Sequence, residues 1–425
     1  MKALKRKLAF FAITITSIGF AQELDVDLQI RPRFEYRNGF KELMKDDFYP
    51  ISFVSQRSRL NFSYKQEKLK AYISFQNVRV WGDVATTSLS DKNGVALFES
   101  WVSYEFNTNW STKFGRQVFS YDNQRIMGGI DWLQQGQSHD AVLVMNKKNN
   151  YQLHFGAALN NNNEALYESA YITNYKNMQF IWFNQKFSKL SLSFLALNNG
   201  YQYENLVQNK FQVVYLQTIG TYGKWDVSRF YGDFGVYAQT GETSITNDKL
   251  DVGAYNASIN LGYKFSTSFK AELGFEYLSG KDQNDTDTKV KSFNPLFGTN
   301  HAFNGLMDYF YVGNHKNSVG LQDVYTKFTY DKNKWQVTLS PHLFYSAASV
   351  YNMTSLEEQD SYLGTEIDLT ATYKMDKNFL ITGGFSKMFA SNTMEILKGG
   401  NNNNCNNWAW VMISFHPQIL TYKNN

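Results

Sequence analysis

The sequence predicts an all-β fold: a single antiparallel transmembrane β-barrel of about eighteen strands, with both termini on the periplasmic side. Three observations support this fold class. Apolar and polar residues alternate along many short segments, short and long connections follow each other in turn, and aromatic residues make up 17% of the chain. The mean hydropathy of −0.44, without a long apolar run after the first residues, argues against a helical membrane protein.

Residues 1–21 are predicted to be a secretory signal peptide. Four basic residues precede an apolar stretch at 8–18, and Ala21 suits cleavage before Gln22. The apolar stretch is too short to span a bilayer. The whole chain has 42 basic and 38 acidic residues, so removing the four basic residues leaves 38 of each. Bulk charge therefore predicts no polyanionic partner such as nucleic acid.

Residues 22–425 are predicted to form one barrel domain. In its first strand Val26 and Leu28 alternate with Asp25 and Asp27, and the same period of two recurs along the chain. Each repeat is long enough to cross a bilayer when tilted. The predicted strands are 24–37, 53–65, 69–82, 96–106, 110–120, 137–145, 151–160, 177–187, 190–198, 210–222, 229–240, 250–263, 269–279, 319–330, 335–346, 362–374, 379–389 and 408–416.

The connections alternate between short turns and long loops, as periplasmic turns and outer loops do in barrels. Aromatic residues next to the short turns predict an interfacial girdle. We expect 408–415 to close the barrel against 24–36, with a polar tail after Pro417. The longest loop, 279–318, is expected to fold over or into the barrel mouth or to dock a partner, and a packed extracellular cap is the simpler alternative.

Arginine is concentrated at the start of the predicted barrel, since eight of the nine arginines after residue 21 precede residue 126. Arg57 and Arg59 alternate with apolar residues, and each would cost about 2–4 kcal/mol on the lipid face at mid-membrane. Arg79 is placed inward because it lies opposite Val78 and Val80, whereas the phase at Arg116 is ambiguous. The predicted solute-binding lumen arginines are Arg31, Arg33, Arg57, Arg59, Arg79, Arg116 and Arg125.

Two interpretations of these arginines stay open at this point. A guanidinium presents a planar fork that suits carboxylates and keeps its charge, so the arginines can form a cationic track for an acidic solute. Alternatively, they pair with acidic residues of the lumen and satisfy the barrel interior. The candidate acidic partners are Asp25, Asp27, Glu35, Glu99 and Glu105.

Three segments together resemble the alginate export family of outer-membrane β-barrels. They are QRSRLNFSY at 56–64, ISFQNVRVWGD at 73–83, and GRQVFSYDNQRIMGGIDWLQQGQSHDAVLV at 115–144. These motifs lie in the first third of the chain and carry five of the predicted arginines. The resemblance implies the outer membrane of a Gram-negative bacterium, and an inward-facing basic track that guides a polyuronate.

The predicted function is therefore an outer-membrane channel for an anionic or polyhydroxylated solute, including export of an alginate-like polysaccharide. A lumen of about eighteen strands is too wide for wall side chains alone to fill. The alternatives are a non-conducting structural or adhesive barrel and, more weakly, a barrel enzyme, since the sequence has no GxSxG motif. No cofactor or metal is expected. The expected partners are outer-membrane lipid and the solute, and the oligomeric state is open.

Overall fold

In the computed structural model one antiparallel sheet curves round and closes on itself. The structure describes residues 22–424 apart from 172, 207, 209, 246 and 312, so the predicted signal peptide lies outside the described residues. A helix, α1 (Asn392–Lys398), and a 3₁₀ turn (Asn300–Ala302) lie in the long loops. The described strands are β1 (Gln22–Asn38), β2 (Ile51–Gln66), β3 (Leu69–Val80), β4 (Ala96–Glu105), β5 (Trp110–Gln117), β6 (His139–Lys147), β7 (Tyr151–Leu159), β8 (Asn177–Lys186), β9 (Leu190–Asn205), β10 (Lys210–Val227), β11 (Phe230–Ile245), β12 (Asp248–Lys264), β13 (Phe269–Leu278), β14 (Leu321–Lys332), β15 (Trp335–Tyr345), β16 (Tyr362–Lys374), β17 (Phe379–Ala390), β18 (Asn406–Phe415) and β19 (Gln418–Asn424).

The barrel closes between its first and last strands. β1 pairs with β2 on one side and with β18 and β19 on the other, for example Phe34 with Val411 and Leu24 with Tyr422. β18 and β19 are two halves of one wall strand, so the wall has the predicted eighteen strands. Closure matters because lipid offers no hydrogen-bond partners to an open strand edge. The predicted closure of 408–415 against 24–36 is confirmed for residues 30–36, whereas residues 24–27 pair with β19.

The segment after Pro417 differs from the polar tail that the sequence predicts. Proline has no N–H to donate, so it interrupts the hydrogen-bond ladder. The Pro417 carbonyl still accepts a hydrogen bond from the Leu28 N–H at 3.1 Å, and pairing resumes in β19. The last described residues therefore complete the wall beside residues 22–27 of β1, where an unpaired edge would otherwise face the membrane.

The two faces of the sheet have different side chains. Residues directly opposite each other on neighbouring strands share a face. Leu60 pairs with Phe75 on the outer, exposed face, and Gln117 pairs with His139 on the inner, buried face. The predicted aromatic girdle near the short turns is exposed at Phe106, Trp110, Phe187, Phe265, Phe269, Tyr330 and Trp335. Such rings suit the headgroup depth of a membrane.

The long loops gather at one end of the barrel, and the short turns and both described termini lie at the other. We name the first end the loop end and the second the turn end. Two loops predicted as long, at 199–209 and 241–249, are shorter because β9 to β12 continue their pairing beyond the predicted limits. No described helix is long and apolar enough to cross a membrane.

Two of the long loops fold into the lumen rather than over it. They are 118–138, between β5 and β6, and 279–320, between β13 and β14. They contact each other where the Gly128 N–H donates to the Phe297 carbonyl at 2.9 Å. Met127, Met307 and Tyr309 of these loops are fully buried inside the barrel. Of the alternatives left open for the longest loop, the structure therefore shows folding into the mouth.

Candidate solute path through the lumen

A basic wall lies on β1 and β2, formed by the inward side chains Arg31, Arg57 and Arg59. Arg31 stands directly opposite Arg57 in the strand register. All three are buried. Like charges directly opposite each other on neighbouring strands are destabilising unless something compensates them. The wall therefore requires a nearby carboxylate, and the barrel strands do not supply one to Arg31 or Arg57 among the described contacts.

Asp131 of loop 118–138 supplies that carboxylate. Its Oδ2 lies 2.9 Å from Arg31 Nη1, and its Oδ1 lies 2.9 Å from Arg57 Nη2. The surrounding protein displaces part of the water around the Asp131 carboxyl, which by itself raises its pKa, but attraction to Arg31 and Arg57 outweighs this effect and lowers the pKa from its ordinary value of 3.8. The side chain is 72% exposed to the lumen, whereas the two arginines are 4% and 1% exposed. Asp131 thus covers the arginines from the lumen side.

The remaining contacts fix the loop against the same wall. Arg59 Nε donates to Gln76 Oε1 at 2.8 Å, and its guanidinium lies 3.6 Å from the ring centre of Phe98. Gln134 of the loop accepts from Arg31 Nε at 3.1 Å. No described carboxylate forms an ion pair with Arg59. The basic wall therefore keeps more positive charge than its contacts neutralise.

Arg33 also faces the lumen, but a neighbour on its own strand holds it. Arg33 Nε donates to Glu35 Oε1 at 2.9 Å, and Glu35 also accepts from Arg37. The Arg33 guanidinium lies 3.8 Å from the ring centre of Trp132. This is the paired, structural interpretation of a lumen arginine, and Glu35 is one of the acidic partners that the sequence suggests.

Arg125 anchors the same loop on the opposite side of the lumen. Its Nε and Nη2 donate to the two carboxylate oxygens of Glu276 on β13, at 2.8 and 3.0 Å. Nη2 also donates to Asn304 of loop 279–320 at 2.8 Å. Loop 118–138 therefore crosses the lumen as a strap. One end is held at Arg31 and Arg57, and the other at Glu276.

Arg79 and Arg116 do not face the lumen, so their predicted placement is wrong. Arg79 pairs across the sheet with Gln56 on the outer face and forms an ion pair with Asp91 of the next loop. Arg116 lies 2.7 Å from Asp140, also on the outer face. Both lie at the loop end of their strands, above the outward apolar residues. An arginine costs little at that depth, so the lipid-face penalty does not force it inward.

Loop 279–320 rests on a second, acidic wall. The Met307 N–H donates to Glu366 Oε1 at 2.8 Å, and the Leu306 N–H donates to Asp368 Oδ2 at 3.2 Å. His301 of this loop stacks on Trp132, with ring centres 4.2 Å apart. The two loops therefore hold each other inside the barrel.

The acidic wall was missed by the sequence analysis. Its inward carboxylates stand on β11, β13, β14 and β16, at positions that alternate with outward apolar residues, and this spacing is the signal that could have identified them. A cavity of about 470 Å³ lies against this wall beneath loop 279–320. The described residues contain no group of His, Cys, Asp and Glu side chains suited to a metal ion. The inward carboxylates are those of Asp233, Glu272, Glu276, Asp323, Glu366 and Asp368.

Comparison with known proteins adds to this geometry. Residues 22–406 match the family model described as alginate export. The chain belongs to the alginate export family. The match confirms the resemblance seen in the segments 56–64, 73–83 and 115–144, and it extends that resemblance over most of the barrel. Comparison with curated proteins gives no match.

Solved outer-membrane barrels share the fold of this family member. Acinetobacter baumannii OccAB4 has 10% identity and a TM-score of 0.63, with 94% of this chain and 98% of that chain covered. Pseudomonas aeruginosa OccK9 (OpdG) has 11% identity and a TM-score of 0.62, covering 93% and 98%. Pseudomonas aeruginosa OpdK with vanillate has 12% identity and a TM-score of 0.58, covering 94% and 99%. At these identities the likeness shows the fold alone.

Proposed function

We propose that this protein is an outer-membrane channel for an acidic, hydroxyl-rich solute, with an alginate-like polysaccharide as the favoured cargo. Family membership and the closed barrel support an outer-membrane channel, and the acidic cargo is the finer part of the proposal. The protein acts as a channel rather than an enzyme. It works without a cofactor or nucleic acid, and its partners are outer-membrane lipid and the solute.

The observation that carries the proposal is the origin of the bridging carboxylate. Arg31 and Arg57 are held by Asp131, which belongs to a loop and not to the barrel wall. A carboxylate of an acidic solute offers the same planar oxygen pair to the same guanidiniums. Such a solute competes with Asp131 and releases the strap from the basic wall. Loop 118–138 is thus an internal gate in this proposal.

A non-conducting structural barrel is the second candidate. It is favoured by the two loops that meet inside the lumen. There Trp132 stacks on His301, and the Gly128 N–H donates a hydrogen bond to the Phe297 carbonyl. In that case the same contacts serve only to fill the barrel. The two candidates differ in whether ions cross the purified protein.

The experiment is ion conduction through the refolded barrel in planar bilayers. At low salt we expect channels whose reversal potential favours chloride, and a weaker preference as salt screens the fixed charges. Trigalacturonate should reduce the current at lower concentrations than maltotriose, because only the former carries carboxylates. Absence of channels in a heat-modifiable, folded preparation would favour the non-conducting barrel. Equal block by both trisaccharides would contradict the acidic preference.

A further inference from the structure

The cavity beside the acidic wall is lined by carboxylates, hydroxyl groups and an aromatic ring, whereas the basic wall presents guanidiniums. It lies between β11 and β16 and is covered at the loop end by Phe303 and Leu306. Its volume of about 470 Å³ falls in the range of small-molecule sites. We infer that this cavity binds a hydroxylated ligand that carries an ammonium group, such as an amino sugar unit.

The charges around the cavity favour a cation. Among its lining residues, Glu276 is neutralised by Arg125, and Glu272 lies 3.3 Å from Lys270. Asp233 differs from both. It accepts a hydrogen bond from Asn260 Nδ2 at 2.9 Å. Lys224 stands opposite Asp233 in the strand register, but no described cation forms an ion pair with Asp233. An ammonium group in the cavity supplies the missing partner.

The fourth carboxylate of the lining strengthens the same preference. Asp368 is buried, and it accepts hydrogen bonds from Ser386 and from the Leu306 N–H rather than from an arginine or lysine. His342 Nε2 lies 3.9 Å from it, while His342 Nδ1 is directed to Asp323 at 3.0 Å. Lys327 is the permanent cation of the described lining. With Glu276 and Glu272 paired, Asp233 and Asp368 are the two described lining carboxylates without an arginine or lysine ion pair, so the lining favours a cation over an anion.

The uncharged lining suits hydroxyl groups. Tyr325 donates to Asn260 Oδ1, and Ser340 donates to the Thr326 carbonyl at 3.1 Å, so both hydroxyl oxygens keep lone pairs to accept from a ligand. The Phe303 ring offers an apolar surface at the loop end. A few polar groups around an apolar patch are typical of sites for small polar molecules.

A metal ion fits the cavity less well than an ammonium group. The described residues contain no group of side chains spaced to hold a metal ion. Calcium and magnesium need several oxygen ligands that converge on one point. An ammonium group needs only one to three acceptors and keeps its hydroxylated carrier in contact with the remaining lining. This inference depends on solute reaching the lumen, but not on the acidic cargo proposed above.

The test uses three sugars of nearly the same shape and different charge: glucosamine, glucose and glucuronate. Binding to the detergent-solubilised full barrel is measured by calorimetry. We expect glucosamine to bind roughly tenfold or more tightly than glucose, and glucuronate to bind most weakly, because an ionised hydrogen bond is stronger than a neutral one. Binding in detergent is independent of conduction, so a barrel that fails to conduct still gives a readable result.

Two variants locate the site. Asp233→Asn should lower glucosamine affinity to that of glucose, and Glu272→Gln should lower it less because Lys270 already partners Glu272. Asp140→Asn is the matched control, since Asp140 lies on the outer face beside Arg116 and should leave affinity unchanged. If Asp233→Asn fails to fold, the inference is still tested by the affinity of Glu272→Gln and by the order in which the wild type binds glucosamine, glucose and glucuronate. Glucuronate binding as tight as glucosamine, or equal loss in the Asp140 control, would overturn the inference.

Discussion

The basic wall on β1 and β2 and the acidic wall on β11 to β16 differ in what covers them. On the basic wall, Asp131 lies between the guanidiniums and the lumen, and Arg57 is only 1% exposed. On the acidic wall, Asp233 and Glu272 border an open cavity of about 470 Å³. The basic wall, whose arginines are concentrated in one part of the sequence, is therefore less accessible to solute than the acidic wall.

The difference shows that the charge of a wall and its accessibility are separate properties. Strand register places arginines inward, but a loop decides whether they face water. The strap between Arg31 on one side and Glu276 on the other is built from ion pairs at both ends. Because breaking such a pair leaves the remaining charge uncompensated, each end holds the loop more strongly than an exposed surface pair would.

The largest expected effect follows from removing the bridging charge. Asp131→Asn leaves Arg31 and Arg57 without a carboxylate. We expect the anchoring of loop 118–138 to weaken by about 2 kcal/mol, between the values for exposed and buried pairs, because the arginines are buried but Asp131 is exposed to the lumen. Single-channel conductance should rise, the preference for chloride should increase, and proteases should cut the loop more readily. Asp140→Asn is the control, because its exposed pair with Arg116 contributes at most about 1 kcal/mol. Unchanged conductance in Asp131→Asn would show that the strap does not limit the path.

A smaller effect is expected from pH. The folded pKa of Asp131 lies below 3.8, so its contribution to anchoring is fully present above that value and is lost only as the pH falls through the lowered pKa. The difference in conductance between Asp131→Asn and the wild type should therefore stay constant between about pH 7 and pH 4.5 and disappear in more acidic buffer. Taking the difference removes any contribution of the acidic wall, which both proteins share. A difference that already disappears near about pH 5 would contradict the assignment to Asp131.

The sequence predicted the barrel well because alternation is a local, repeated pattern and because a sheet in lipid has to close on itself. The closing strand, the girdle and the inward direction of Arg31, Arg33, Arg57 and Arg59 all follow from them. The strap could not be predicted this way, because Arg31 and Gln134 are 103 residues apart and the loop has no alternation. The acidic wall was overlooked for a different reason, since its carboxylates are spread over four strands instead of concentrated in one segment.

The misplacement of Arg79 has a specific physical cause. Val78 and Val80 flank Arg79 and suggest that it points inward. Near the loop end, however, the inward and outward faces both meet water or headgroups, so an apolar residue no longer marks the lipid side. The register shows the true phase, because Arg79 stands opposite Gln56 while Val78 stands opposite Arg57. The outer face at this height is polar, and Arg79 donates to Asn77 at 2.8 Å there.

The smallest effect is expected from a matched pair of variants, one on the inner face of the sheet and one on the outer face. Arg59→Gln removes an inward charge that has no described carboxylate partner, whereas Arg79→Gln removes an outward charge already paired with Asp91. At low salt we expect the reversal potential to shift toward cations in Arg59→Gln and to stay unchanged in Arg79→Gln, since only a fixed charge inside the confined lumen changes the local ion concentration. High salt should remove the difference between the variants by screening. Equal shifts in both variants would mean that Arg79 also acts on ions in the lumen. That result would contradict the placement of Arg79 on the outer face of the sheet.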